Sequence, residues 1–480
     1  MEGKANVNGG GKTLEELLGL QVGVIGSPSS TSRLMIDILD AAASRKLLGE
    51  LVIFPFMQDN LPHYAIGQMT EIQTDEDGAV RCPDLEIKAV FCRTGSQVYE
   101  PGMLGTVPPT GTPVYSVSDE IFKELLRSYH REGLFYLGYV NDMKTKLPLW
   151  FRHFGSGEGG AGGPYNLGIF GKTGSGKSVL ARMILLAYAR HPQMSILVID
   201  PQGEFSKALR GKATGDFYLP LNRLLKKLGK ELVCLEMRSV FVDQRGTFER
   251  LLFESTLGGP PGAVTVSEAL EWFWVRNHRA RPILVLDLSG EQFKSIPWSE
   301  LLQRLVVKTL LEEIISVSES SFLEGGRDLN TLILVEEVHR FAPRKVLNDE
   351  VEAEESLGGL FVDAVRATRK FGVGWLFTGN TLAGLFRGLV REIQVFFLGF
   401  GLGLGEDTQV LWDLIGPEHH AWVRYRGLMD PRSNPSRKQY PFMTVGSVSP
   451  LSFTGTPFFF DAFNSVEEFL KANGLSGEKA

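Results

Sequence analysis

Gly171-Lys172-Thr173-Gly174-Ser175-Gly176-Lys177-Ser178 is a full match to the GxxxxGK[ST] pattern, and its surroundings decide how the chain is read. Before it, Leu167–Phe170 is a short apolar run of strand type. After it, Val179–Arg190 (VLARMILLAYAR) reads as an amphipathic helix that Pro192 closes off. Glycines between a strand and a helix let successive N–H groups curl around a phosphate, and the helix N-terminus adds a field that favours anions. In such a loop Lys177 binds the β- and γ-phosphates of a nucleotide, the Ser178 hydroxyl ligates Mg²⁺, and Val179 completes the contact segment 171–179.

Working outward, strand-like and helical runs alternate: Ile196–Asp200, Leu232–Met237, Ile283–Leu288, Leu332–Glu336, Val373–Thr378 and Val395–Phe400. Continuous apolar runs between amphipathic helices imply an α/β domain whose mainly parallel sheet is covered on both faces. Residues 240–280 read as a mostly helical insertion. A nucleotide-hydrolysing site needs acids at neighbouring strand ends, and Leu332-Ile-Leu-Val-Glu336-Glu337 supplies a pair. Glu336 takes the position that orders Mg²⁺, usually an Asp and here one methylene longer. Glu337 is placed to orient and polarise the attacking water. Another strand ends in Asp200-Pro-Gln202-Gly203-Glu204. Strand C-termini line the ligand crevice of a parallel sheet, so Asp200 and Glu204 join the candidates, with turn-capping as their alternative role.

The 480 residues allow two or three domains. Residues 1–16 are polar and glycine-rich and read as a disordered tail. From 17 to about 109, short apolar strands separated by turn residues suggest a small β-barrel or sandwich, and Ser118 caps a short helix. Gly155–Gly163 (GSGEGGAGG) is either a linker or a loop beside the nucleotide site. Residues 448–480 form a phenylalanine-rich tail that could brace a neighbouring subunit. Cys82, Cys92 and Cys234 lack disulfide-framework or metal-ligand spacing. With no membrane-length apolar run either, the chain reads as cytoplasmic.

The ordered set of motifs resembles the HerA family. It comprises the barrel and the P-loop, then Asp200-Pro-Gln-Gly203-Glu204, Asp287-Leu-Ser289-Gly290 and Glu336-Glu337-Val-His339. Thr368-Arg369-Lys370-Phe371-Gly372 and the strand ending in Thr378-Gly379-Asn380 complete it. Relatives commonly carry Gln where Asn380 stands. The resemblance implies a HAS-type barrel with its connecting segment over 17–150 and a RecA-like P-loop ATPase domain over 151–447. It further implies a homohexamer with ATP and Mg²⁺ sites between subunits and Asn380 as the polar sensor. Arg369, or Arg366 one turn earlier, would be the arginine finger given to a neighbour. A nuclease of the NurA type, or another effector, would dock on the barrel.

The resemblance also implies translocation on, or unwinding of, double-stranded DNA, in end processing. Charge speaks against a DNA binder, because the net charge is −6. Phosphate contacts must come from short clusters: Arg210/Lys212, Lys226/Lys227/Lys230, Arg344/Lys345 or Arg387/Arg391. Arg344 and Lys345, close behind the acidic strand end, are the chosen pair. A DNA-packaging ATPase and an ATP-gated ring scaffold for a defence effector are the competing readings.

Overall fold

The computed structural model describes residues 13–95, 97–127, 129, 133–140, 143–211, 217–242, 248–276, 280–289, 300–325, 328–344, 351–416, 419–433, 438–451 and 456–476. The chain divides into two units. One is Met1–Leu134 with Tyr139–Pro148 and Ser449–Thr456; the other is Phe135–Gly138 with Leu149–Val448 and Pro457–Ala480.

In the first unit the strands are β1 (Gln21–Ile25), β2 (Leu34–Ile38), β3 (Leu51–Gln58), β4 (Leu61–Met69), β5 (Gln73–Thr74), β6 (Val80–Arg93), β7 (Tyr99–Gly102) and β8 (Pro113–Ser116). Six of them run in the order β2-β1-β8-β3-β4-β6, and β6 pairs back onto β2 through Leu34 and Leu85. That pairing closes a barrel and removes the sheet's open edges. Alternate residues such as Ile36, Val52, Phe54 and Val90 fill the interior. The β3–β4 hairpin turns through Asp59 and Asn60, both at positive φ, as a two-residue turn of this twist requires. The expected cap at Ser118 is present: its side chain accepts from the Ile121 amide ahead of the helix Asp119–Leu125.

The expected tail over 1–16 needs correction at its end. Residues 14–17 form a helical turn capped by Thr13, and the Glu15 carboxylate accepts from the Tyr64 hydroxyl and, at 3.0 Å, from Arg93. Residues 1–12 lie outside the described residues.

The second sheet contains β9 (Leu134–Val140), β10 (Lys146–Trp150), β11 (Leu167–Phe170), β12 (Ser195–Asp200), β13 (Leu232–Val242), β14 (Phe248–Leu257), β15 (Ala263–Thr265), β16 (Ile283–Asp287), β17 (Thr331–Val335), β18 (Val373–Gly379), β19 (Val395–Gly399), β20 (Tyr440–Val445) and β21 (Phe458–Ala462). Its order is β10-β9-β21-β20-β19-β11-β18-β17-β12-β16-β13-β14-β15. From β19 to β13 the seven neighbours are all parallel. Six of these seven are buried along their whole length, which is why they read as unbroken apolar runs: Leu167–Phe170, Ser195–Asp200, Ile283–Asp287, Thr331–Val335, Val373–Gly379 and Val395–Gly399. The parallel block sets the C-terminal ends of β11, β12, β16, β17 and β18 along one edge. That edge carries every acidic strand end found in the sequence.

Two expectations fail in this sheet. The insertion at 240–280 is not mostly helical: β14 returns antiparallel on β13, β15 follows, and among its described residues only Val266–Arg276 coils. The β-branched and aromatic content of the stretch Val240–Thr256 favours strands over helix. The aromatic tail is no free brace. Phe458, Phe459, Phe460 and Phe463 are each no more than 2% exposed, within β21 or just after it. β21 pairs with β20 of the same chain. The glycine-rich stretch 155–163 is a compact loop of the second unit, bridged from His153 to Gly160.

Candidate nucleotide site

The loop between β11 and the helix Lys177–Ala189 has Gly174 and Gly176 at φ of 88° and 91°. A side chain on Gly176 would set its Cβ 2.9 Å from the Tyr440 ring, so both conformation and space demand glycine there. The loop borders a cavity of about 500 Å³, lined also by Lys177, Ser178, Glu204, Glu337 and Asn380. Volume and polar lining suit a nucleotide.

Inside the cavity one hydrogen-bonded chain joins three strand ends. The Lys177 ammonium donates to Asn380 Oδ1 at 2.7 Å and to the Lys172 carbonyl at 3.3 Å. Asn380 Nδ2 donates to Glu337 Oε2 at 2.9 Å. Burial pulls the Lys177 pKa below its usual range, against the pull of Glu337, Glu204 and Glu336. Burial also raises Glu337, against the pull of Lys177 and Arg340. Glu337 has left-handed backbone angles, φ 50° and ψ 42°, and its amide donates to Thr378 Oγ1 at 3.2 Å. A non-glycine residue held in that conformation is a mark of a constrained position. His339 Nδ1 lies 3.5 Å from the Glu337 carboxylate.

Glu336 sits elsewhere. It is 4% exposed and hydrogen-bonded to Asp200, and burial with the Asp200 charge raises its pKa well above the carboxylate range. Asp200 is itself pushed up, first by burial, to about 6. Asp200 accepts from the Glu204 and Ser206 amides at 3.1 and 2.9 Å, so it performs the turn-capping role. Glu204 reaches the cavity, with Arg182 at 3.3 Å from its carboxylate. Asp287 accepts from the Ser289 amide at 2.9 Å and from Ser206 and Arg210; Gly290 lies outside the described residues.

Three contributors carried no local signal in the sequence. Buried Asp407 accepts from Thr381 Oγ1 and from the Leu382 and Ala383 amides, at 2.7–2.8 Å, and pairs with Lys172 at 3.3 Å. It thereby ties the segment after β18 to the phosphate loop. Tyr440 and Phe463 line the cavity from the C-terminal strand pair. Both lie more than 260 residues from the loop, and only pairing of β20 with β19 brings them there.

The family described as "Helicase HerA, central domain" matches residues 166–321, which span the P-loop, Asp200, Glu204 and Asp287. Over that stretch the chain is similar to the central domain of HerA-type ATPases. Glu337, Arg369 and Asn380 lie beyond the matched stretch. Among solved structures the chain is similar to the genome packaging NTPase B204 from Sulfolobus turreted icosahedral virus 2, at 12% identity and a TM-score of 0.33, covering 62% of this chain and 98% of that one. It is also similar to the pCW3 conjugation coupling protein TcpA, at 11% identity and 0.35, covering 88% and 92%. VirB4 of Thermoanaerobacter pseudethanolicus is a third, at 13% and 0.35, covering 70% and 97%. No curated protein sequence matches.

Elsewhere in the second unit, the helix Val351–Arg369 ends four residues before β18 begins. Arg369 therefore lies at the sheet edge away from its own P-loop; seven strand residues at about 3.3 Å each separate the edges by roughly 20 Å. Arg369 is exposed and has no ion pair among the described residues. Arg366 is tied to Glu392 at 2.7 Å.

The basic clusters separate. Arg210 is bound internally to Glu236 and Asp287. Lys230 is buried and donates to the His191, Pro192 and Met194 carbonyls. Lys226 and Lys227 are exposed. Arg344, Arg387 and Arg391 line one second cavity, with Glu406 3.9 Å from Arg344. Lys212 and Lys345 lie outside the described residues. Among the described residues no helix is long and apolar enough to cross a membrane.

Proposed function

We propose that the chain is the subunit of a homohexameric motor that hydrolyses ATP to translocate on, or unwind, double-stranded DNA, in end processing with a nuclease partner. The observation that carries the reading is the Lys177–Asn380–Glu337 chain inside the P-loop cavity. It sets the phosphate ligand and the candidate base on one relay. When phosphate takes the Lys177 ammonium, Asn380 loses one of its two partners and reports that change to Glu337. Glu337, half enclosed and with a raised pKa, accepts a proton from the attacking water.

Mg²⁺, held mainly by nucleotide oxygens and water, would supply charge neutralisation at the transferring phosphoryl group. The donor set fits such an ion, because the Ser178 hydroxyl lines the same cavity as Glu204 and Glu337. Glu336 is engaged with Asp200 and would have to give up its proton before it could help order the metal's water.

Arg369, exposed and remote from its own P-loop, suits donation to another subunit's site better than Arg366, which is held by Glu392. Arg369→Ala should lower ATP turnover at least about a thousandfold with ATP affinity nearly intact, because the guanidinium it removes binds the transition state more strongly than the ground state. Mixing Arg369→Ala with Lys177→Ala protein should restore some turnover at interfaces that pair an intact loop with an intact finger. Mixtures of exchanging subunits that stay inactive would place Arg369 in a structural role. Light scattering should give about six times 53.1 kDa, and a monomer under every nucleotide and salt condition sinks the ring.

For DNA, the convergence of Arg344 with Arg387 and Arg391 favours that face over the other clusters. Duplex DNA should bind without sequence preference and stimulate hydrolysis. Replacing Arg344 and Arg387 by Ala should weaken binding to all sequences alike and flatten the salt slope by about one unit for each phosphate no longer neutralised. Basal hydrolysis should not change. If duplex DNA neither binds nor stimulates, with or without a partner on the barrel, the ring-scaffold reading replaces the motor.

A further inference from the structure

The nucleotide cavity has two chemically distinct ends. Among the described residues, all its polar side chains except the Tyr440 hydroxyl come from three segments at the phosphate end: the loop 171–178, the turn 202–204, and the pair Glu337 and Asn380. Its remaining described walls are Val179, Leu180, Phe217, Tyr440, Ala462 and Phe463, which present aromatic faces and hydrocarbon. Tyr440 and Ala462 are directly opposed residues at one end of the β20–β21 pair. Asn464 Nδ2 donates to the Lys438 carbonyl at 2.8 Å and so ties that end together. Phe463 is 2% exposed and set edge-on against Phe469, ring centroids 6.1 Å apart, which fixes it as a rigid wall. The Tyr440 ring lies against Gly176, beside the phosphate cradle.

We infer that the end of the β20–β21 strand pair, Tyr440 with Ala462 and Phe463, is the base-holding wall of the nucleotide site. The site therefore takes purine nucleoside triphosphates by stacking, with little discrimination between adenine and guanine. This rests on the nucleotide reading of the cavity and extends it to substrate class. A cavity of about 500 Å³ exceeds what a triphosphate alone needs, and the apolar residues of this wall line it as well. Stacking on an aromatic face is tolerant of base identity because every base has a π-face. Strong selection between bases comes instead from buried side chains that hydrogen-bond one base edge and are left unpaired by the other. Among the described residues of this wall, one hydroxyl is the entire side-chain polar inventory. A purine covers more of the wall than a pyrimidine, so ATP and GTP should both exceed CTP.

The test is calorimetric titration of the full chain with ATP, GTP, CTP and inorganic tripolyphosphate. ATP and GTP should bind within about tenfold of each other, CTP more weakly. Tyr440→Leu keeps the apolar volume under Gly176 and removes the π-face. It should weaken ATP and GTP about tenfold, a typical worth for one stacked base, and leave tripolyphosphate within about twofold. Tyr440→Phe should restore the parent affinities. A preference for ATP over GTP beyond about a hundredfold overturns the inference, because it requires edge recognition. Equal losses for ATP and tripolyphosphate in Tyr440→Leu also overturn it, since Tyr440 would then only support the loop. If the parent protein binds none of the four ligands, the nucleotide reading fails and the base wall with it. Lys177→Ala should weaken all four, tripolyphosphate included, which separates loss of the phosphate site from loss of the wall.

Discussion

Glu337→Gln should bind ATP as tightly as the parent protein and turn it over about 10²–10⁴-fold more slowly, whereas Lys177→Ala should lose both binding and turnover. The first change keeps shape and keeps an oxygen able to accept from Asn380 Nδ2, so the relay from Lys177 stays assembled. It removes only the capacity to take a proton, an effect of about 10²–10⁴ for a positioned base. The second change removes the ammonium that phosphate oxygens would meet. Rapid-mix turnover and equilibrium binding on the same preparations separate the two outcomes. The pH profile gives an independent reading. Burial raises the Glu337 pKa, so the working ionised form is lost as pH falls through a value above the ordinary carboxylate range. The acid limb of kcat/KM should lie there and vanish in Glu337→Gln. Near-normal turnover by Glu337→Gln would transfer the role to another carboxylate. Glu204 is then the first to test, because it lines the same cavity and is already oriented by Arg182.

The phosphate end of this site was legible in the sequence because its chemistry is local. Eight consecutive residues between a strand and a helix make the cradle, and an apolar run ending in two acids points to Glu337. Local pattern gave Glu336 the metal and Glu337 the water, but it could not foresee the different surroundings of these two neighbours just after β17. Burial beside Asp200 turned one of them into a hydrogen-bonded acid and left the other in the cavity. The base end was invisible for another reason. Tyr440 and Phe463 carry no motif, and their place is set by antiparallel strands added after the parallel block. The same long-range pairing explains why 240–280 misled: apolar spacing in Leu251–Leu257 is compatible with either period until β13 supplies a partner. Periodicity also could not say whether a run of phenylalanines packs on its own chain or on another.

That last ambiguity makes the C-terminal segment the site of the second large effect: removal of Pro457–Ala480 should leave the chain insoluble or unfolded, not a folded protein that fails to assemble. β21 lies between β9 and β20 in the sheet order, so its loss opens two edges at once. Phe460 stacks on Phe442 with ring centroids 5.8 Å apart and meets Phe397 edge-on at 6.3 Å. Phe459 lies beneath the Arg424 guanidinium at 4.6 Å. Asn473 closes the far side, accepting from the Tyr136 amide at 2.8 Å and donating to its carbonyl at 2.9 Å. Truncating one buried phenylalanine to alanine costs about 3–5 kcal/mol. The net stability of a folded domain is only about 5–15 kcal/mol, so losing four such residues with their strand exceeds what the remainder can supply. The single variant Phe460→Ala should therefore lower the unfolding midpoint measurably while the chain still folds. Near-ultraviolet circular dichroism, solubility and size-exclusion chromatography on the parent, the point variant and the truncation test the argument. A truncated chain that is soluble, with native near-ultraviolet signal and only a smaller mass, would show that the segment serves assembly in place of the fold.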